Sequence, residues 1–293
     1  MSILVTGATG AVGSLVVQGL AAAGADVRAL VRQRGKPGIP AGLTEVVGDL
    51  TDVPSMRAAL ASVRTLFLLN AVTPDEVTQA LIALNLAREA GVQRIVYLSV
   101  IHADRYTNVP HFTGKHTVER MIETLDLPAT ILRPAYFMQN ERMVQQAIEQ
   151  YRVYPMPIGS AGIAMVDARD IADIAVAELL RRDAAASALP RLTLDLVGPE
   201  AITGASAAQA WASALGSEVA YAGDDVAAFE SQMAQHSPSW LAYDMRLMLA
   251  GIQTIGMRGE EGAVERLQAM LGRPLRHYAA FVQEAVAAAR SAT

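Results

Sequence analysis

Three glycines near the start of the chain, in the order Gly7-x-x-Gly10-x-x-Gly13, are spaced to meet an anion. A short apolar run, Ile3 to Val5, stops at Thr6-Gly7, and a helical pattern starts at Ala11. One glycine permits the tight turn, another lets backbone N–H groups approach a pyrophosphate, and a third lets strand and helix pack closely. The helix N-terminus then faces the phosphates. The first gap is one residue longer than in the commonest dinucleotide fingerprint, with the same mechanics. Because the triplet closes a strand and opens a helix, it predicts a dinucleotide site rather than a bare turn.

The second apolar strand, Val27 to Val31, runs into Arg32-Gln33-Arg34-Gly35-Lys36. An acidic residue there would hold the ribose hydroxyls of NAD. Cations suit a 2′-phosphate, which arginine grips with two N–H groups. The expected cofactor is therefore NADP(H), with NAD(H) second, and Arg32 then Lys36 are the candidates for the phosphate. Gly48-Asp49-Leu50 follows the third strand. Asp49 could accept from an adenine amino group, or serve only as a turn residue.

The elements that must position these groups alternate. Strands are expected at 3–5, 27–31, 44–47, 65–69, 94–99 and 129–133. Helices are expected between them at 11–24, 53–61, 74–90 and 113–125. Continuous apolar strands alternating with helices mean a parallel sheet covered on both faces. The fold class is α/β, a Rossmann-type doubly wound sheet over residues 1–135. A smaller, mostly helical substrate-binding region over 136–293 returns edge strands to that sheet. In it, 138–151, 171–180, 205–215, 226–234, 238–252, 260–271 and 274–289 read as helices, and 192–197 as a late strand. Ligands of open α/β sheets bind at the C-terminal edge of the strands.

Composition narrows the classes. The 293 residues are 52% hydrophobic and 18% charged, which disfavours disorder. The net charge of −5 is spread out and no basic stripe appears, so nucleic acid is not an expected partner. No run reaches the roughly 18 apolar residues of a membrane span, and no signal peptide is evident. With no cysteine, disulfide and thiolate chemistry are excluded, in keeping with a cytoplasmic location. His111 and His116 are five apart and fall on different helix faces, and no metal site is expected. Asp167 and Asp170 beside Arg169 read as an ion cluster opening a helix.

Beyond these readings, the chain resembles the NmrA-like group of atypical short-chain dehydrogenases. The matching text is Thr6-Gly7-Ala8-Thr9-Gly10, Gly48-Asp49-Leu50, Ile95-Val96-Tyr97-Leu98-Ser99, Gly114-Lys115-His116 with Glu119, Thr130-Ile131-Leu132-Arg133-Pro134, Phe137-Met138-Gln139-Asn140, Val166-Asp167-Ala168-Arg169-Asp170 and Leu271-Gly272-Arg273-Pro274. These pieces span nearly the whole chain. That family includes NADPH-dependent quinone reductases, triphenylmethane-dye reductases and regulators that bind NADP without turnover. The resemblance implies cofactor contacts at Gly7, Thr9, Gly10, Ala11, Val12 and Gly13, and at Arg32, Lys36, Asp49 and Leu50. It implies further contacts at Asn70, Ala71, Val72, Ser99, Val100 and Lys115. Pro134, Ala135, Tyr136 and Phe137 would lie beside the nicotinamide.

One departure matters. Typical short-chain dehydrogenases place a tyrosine four residues before the lysine, to move a proton at the substrate oxygen. Lys115 occupies the lysine position, but His111 stands four residues earlier, and the nearest upstream tyrosine is Tyr106. His111 is a proton donor, a pocket residue, or a packing histidine. The expected catalytic set is Lys115, His111 and Tyr136. The expected substrate contacts are His102, His111, Tyr136, Phe137 and Asn140. For Phe137 the plain alternative is core, and for Asn140 a helix cap. Trp240 and Tyr243, with Met245 and Met248, read as a core stripe or as a roof to the site. The expected activity is NADPH-dependent hydride transfer to a quinone or similar electron-poor aromatic. The alternative is a non-catalytic NADP(H) sensor acting through a regulatory protein partner. A homodimer stays open.

Overall fold

The computed structural model describes residues 2–292. Six strands pair in parallel: β1 (Ser2–Val5), β2 (Val27–Val31), β3 (Thr44–Val47), β4 (Val63–Leu68), β5 (Arg94–Leu98) and β6 (Ala129–Pro134). With β8 (Leu192–Leu196) they form a seven-stranded sheet in the order β3-β2-β1-β4-β5-β6-β8. The order reverses between β1 and β4, which opens a crevice at that point of the C-terminal edge.

Period two explains the burial. Leu4, Leu66, Leu68, Ile95, Tyr97, Ala129 and Ile131 share a core with α2 (Val53–Leu60), α3 (Glu76–Glu89) and α4 (Pro110–Thr124). Their chain neighbours Ile3, Val5, Phe67, Val96 and Leu132 are equally buried, so the sheet is covered on both faces. Between α1 (Ala11–Ala22) and α6 (Ala168–Ala184) the approach is close: a Cβ on Gly19 would lie 2.9 Å from Val176.

The chain divides into two compact units. The first runs to Ala103 and resumes over His111–Arg133 and Arg169–Leu194. The second comprises Asp104–Pro110, Pro134–Ala168 and the chain from Asp195 on. The second unit contains α5 (Arg142–Tyr151), α7 (Gly204–Leu215), α8 (Val226–Met233), α9 (Ser239–Ile255), α10 (Ala263–Leu271) and α11 (Tyr278–Ala292). It also contains a two-stranded parallel sheet, β7 (Val153–Tyr154) with β9 (Ala220–Tyr221). Its centre is a buried carboxylate. Glu141 accepts from Tyr154 Oη at 3.0 Å, Tyr278 Oη at 2.8 Å and Trp211 Nε1 at 3.3 Å. Burial raises the Glu141 pKa, and these three bonds lower it only in part.

Several boundaries differ from expectation. Helix α4 begins at Pro110 rather than at 113, because proline fits the first helical position. α10 begins at Ala263 rather than 260, after Gly262 with φ of 76°. The stretch 138–151 is a 3-10 turn, Met138–Glu141, followed by α5. β7 and β9 were not expected, since two residues carry no readable period. Among the described residues, no helix is long and apolar enough to cross a membrane.

Candidate functional site

At the crevice, Thr6 joins β1 to β4. Its N–H donates to Phe67 O at 3.0 Å, and its Oγ1 donates to Leu69 O at 2.9 Å while accepting from Leu69 N at 2.8 Å. Gly7 follows with φ of 61°, and a Cβ there would lie 2.4 Å from Leu69 Cδ2. At Gly13 a Cβ would lie 2.1 Å from Gly7 O, so only glycine lets α1 fold onto the turn. Gly10 differs: a Cβ there meets only Gly7 O, at 3.3 Å, and otherwise projects into open space. Gly10 is the N-cap of α1, with no side-chain cap and no acid in the first turn. Helix α1 shares the missing cap with α2, α3, α5, α9 and α10, whereas α7 and α8 are capped by Thr203 and Asp225. The bare N-terminus of α1, with its aligned N–H groups, suits a pyrophosphate.

Arg32 to Lys36 form an exposed loop after β2. The loop is not free of carboxylates in space. Glu45, on β3, accepts from Gly35 N at 2.9 Å. This residue was missed because it comes from the neighbouring strand. Asp49 serves as a turn residue, its Oδ1 accepting from Thr51 N at 2.8 Å and Thr51 Oγ1 at 2.6 Å. The Thr51 bonds, with a smaller contribution from the Arg32 charge, hold its pKa below the usual carboxylate value.

After β4 stands Asn70, 7% exposed, whose Oδ1 has no hydrogen-bond partner among the described residues. Helix α4 presents His111, Lys115 and Glu119 at i, i+4 and i+8, along one face. Its earlier start places His111 in the first turn, one turn before Lys115. Lys115 is buried and donates to Glu76 Oε1 at 2.5 Å, from the first turn of α3. An ammonium carries three donors, and two of them have no partner among the described residues. Glu119 accepts from Ser99 Oγ at 2.5 Å and from Arg133 Nε and Nη2 at 3.0 and 2.6 Å. Ser99 is thus committed to Glu119 through its hydroxyl. His111 is half-buried, with its ring edge-on to Phe112 at 4.7 Å between centroids. His102 is half-buried in the turn after β5, with φ of 55°. Ala71 is exposed, while Val72, Val100 and Leu50 are half-buried. An orphaned buried acceptor, unused lysine donors and an uncapped helix together fit a dinucleotide. Among the described residues, no group of three or more His, Asp or Glu could hold a metal ion.

In the second unit Tyr106 is spent on structure. Its hydroxyl donates to Gly256 O at 2.7 Å, its ring lies against Gly251, and burial raises its pKa. Tyr136 is buried too. Burial first, then Glu141, raises its pKa well out of the working range, against a bond from the Asn140 side chain. Asn140 therefore reaches Tyr136 and is not a helix cap; the N-cap positions of the 3-10 turn and of α5 are Phe137 and Glu141, neither with a side-chain cap bond. Phe137 is half-buried rather than core, and bridges to Val166. Pro134 and Ala135 are buried, with Ala135 N bonded to Leu196 O at 2.9 Å. Gln139, missed as a candidate, donates to Asp167 Oδ1 at 2.9 Å and accepts from Ala168 N at 2.8 Å, tying the 3-10 turn to the start of α6. The stripe on α9 divides. Met248 is buried, but Trp240 and Tyr243 are 38% and 48% exposed, so they are not core. The 3.6-residue period turns Ala242, Leu249 and Ile252 inward instead.

The sequence profile of the NmrA-like family matches residues 1–257. The chain belongs to this family. It is 30% identical over 291 residues to an NAD(P)H azoreductase of Xenophilus azovorans, covering 98% of both chains. It is 31% identical over 281 residues to a (4-alkanoyl-5-oxo-2,5-dihydrofuran-3-yl)methyl phosphate reductase of Streptomyces griseus, covering 94% of this chain and 95% of that one. Its fold is also that of the Escherichia coli NADPH-dependent quinone oxidoreductase QOR2 complexed with NADPH. That match has a TM-score of 0.84 at 24% identity and covers 96% of this chain and 99% of the other.

Proposed function

We propose that this chain is an NADPH-dependent reductase that passes hydride to a quinone or a similar electron-poor aromatic acceptor. The coarser statement is plain from its family and from reductase relatives that match it end to end: the chain is an NAD(P)H-dependent oxidoreductase. The same relatives favour turnover over a non-catalytic sensor role. NADP(H) fits the uncapped α1, the basic loop at Arg32 and Lys36, and the open donors of Lys115.

The observation that carries the acceptor class is the company of Lys115. His111 stands where a proton-moving tyrosine would be, Tyr106 is bonded to Gly256, and the lysine itself is paired with Glu76. Among the described residues no phenol beside the lysine is available to move a proton in concert with hydride, which reduction of a simple carbonyl needs, since burial raises the pKa of Tyr97. A quinone spreads the incoming charge over its ring and can take its proton from solvent. The bound reduced cofactor supplies the hydride; hydride plus one proton then converts quinone to hydroquinone. Lys115 holds the ribose, and His102 and His111 face the acceptor.

The test is oxidation of NADPH by purified protein with benzoquinone, naphthoquinone and an azo dye, followed by loss of reduced-nicotinamide absorbance. Consumption with at least one acceptor, faster with NADPH than with NADH, is expected. No consumption above buffer across the panel overturns the reading.

A further inference from the structure

By sequence position alone, Glu76 is a first-turn acid favoured by the helix dipole. Its surroundings give it more to do. The Lys115 and Glu76 side chains are 9% and 5% exposed. A lysine so far out of water needs a counter-charge. Glu76 is the carboxylate that provides it, at 2.5 Å. The pairing depends on a close crossing of helices next to both residues. A Cβ on Gly114 would sit 3.0 Å from Val77 Cγ2, so glycine beside Lys115 lets α4 approach α3 at the residue after Glu76. Tyr97 is buried on β5 and feels both Glu76 and Glu119. Burial and these two carboxylates raise its pKa, so it cannot take over as the charged partner of the lysine. Glu119 is committed to Ser99 and Arg133.

We propose that Glu76 is a positioning residue for the cofactor. It fixes the otherwise flexible Lys115 side chain so that the two remaining N–H donors point at the nicotinamide ribose. The lysine is thus anchored by an acid from the neighbouring helix, with no tyrosine of its own helix required. This rests on the reading of the chain as an NADPH-dependent reductase, in which Lys115 meets the ribose.

The experiment is a double-mutant cycle with Glu76→Gln and Lys115→Met, read by NADPH titration and by separate kcat and KM values. Glu76→Gln should weaken NADPH about tenfold, a typical coupling for groups in direct contact, and raise the KM for NADPH more than it lowers kcat. Glu76→Asp should recover part of the loss. In the Lys115→Met background Glu76→Gln should add nothing to the NADPH loss. The double variant should also unfold at a higher temperature than Glu76→Gln alone, because no lysine is left buried and unpaired; this keeps the cycle readable if the single variant folds poorly. Wild-type affinity in folded Glu76→Gln, or an equal loss with and without Lys115, overturns the proposal. If the wild-type protein itself binds no NADPH, it is the functional reading that falls.

Discussion

The two edges of the main sheet solve opposite problems. At the edge where the strands end, polar groups are buried and left partly unmatched among the described residues: Asn70 Oδ1 has no partner, Lys115 keeps two donors, and α1 has no capping side chain. At the edge where the strands begin, side chains from β4, β5 and β6 are tied to the end of α6 and the segment after it. Arg64 and Thr65 hold Asp183, and Arg94 donates to the carbonyls of Arg182 and Ala185 at 2.8 and 2.7 Å. Arg182, fully buried, donates to Thr130 Oγ1 at 2.6 Å and to the carbonyls of Pro128, Leu189 and Pro190. Burial pulls its pKa down to about 10. Buried polar groups are normally satisfied, so the groups left open where the strands end suit a ligand, while the ion pairs and carbonyl bonds where the strands begin hold the fold, although Ser2 Oγ, buried at the start of β1, also lacks a partner among the described residues.

The largest effect should come from the matched edge. Arg182→Met removes the charge, strands three carbonyls and takes one bond from the Thr130 hydroxyl, which keeps its bond to Glu178. Stability should fall by about 3 kcal/mol or more, seen as a drop in thermal midpoint. The affinity of the remaining folded protein for NADPH should not change. An equal loss of affinity would break the division between the edges.

A smaller effect is expected at the unmatched edge. Arg32→Ala should cost about tenfold in NADPH affinity, the scale of one charge-assisted bidentate contact, and leave NADH affinity nearly unchanged. Because Arg32 is exposed, thermal stability should move little. Parallel loss for both cofactors would remove Arg32 from the 2′-phosphate and pass that role to Lys36.

The sequence made these two edges unequally legible. The functional edge has local signals. The glycine spacing, the basic run after β2 and the Gly-Lys-His text are each read within a few residues; the first two mark loops after parallel strands, and the third lies on α4. The strands themselves show through their apolar runs, with 27–31 and 44–47 found to the residue. What could not be read is pairing across distance. Glu76 looks like any first-turn acid until α4 is laid beside α3, and Glu45 reaches the basic loop only because β3 pairs with β2. Arg94 and Arg182 lie 88 residues apart and carry no shared motif. Glu141 gives no hint that two tyrosines and a tryptophan will surround it.

The finest test of the comparison is acid titration of the matched edge. Asp183 is part-buried, which raises its pKa, but bonds from Arg64 and Thr65 outweigh burial and leave it below the usual aspartate value. A carboxyl with a depressed folded pKa binds protons less readily than in the unfolded chain. Its contribution is therefore present above the unfolded value of 3.8 and is lost as pH falls through the folded value. Asp183→Asn should lower stability at neutral pH by about 1 kcal/mol, the scale of a partly exposed, hydrogen-bonded ion pair. As pH falls below 3.8 and through the lower folded value the variant should converge on the wild type, because protonation then removes the charge from the folded protein too. Urea unfolding at about pH 7 and over a series of pH values below 3.8 measures both. Asp49 at the other edge is also depressed, through Thr51, but its carboxylate is exposed and bonded to Thr51 in its own turn, so Asp49→Asn should reproduce only a small part of that convergence. Equal pH dependence for the two variants would mean that stability is spread over both edges.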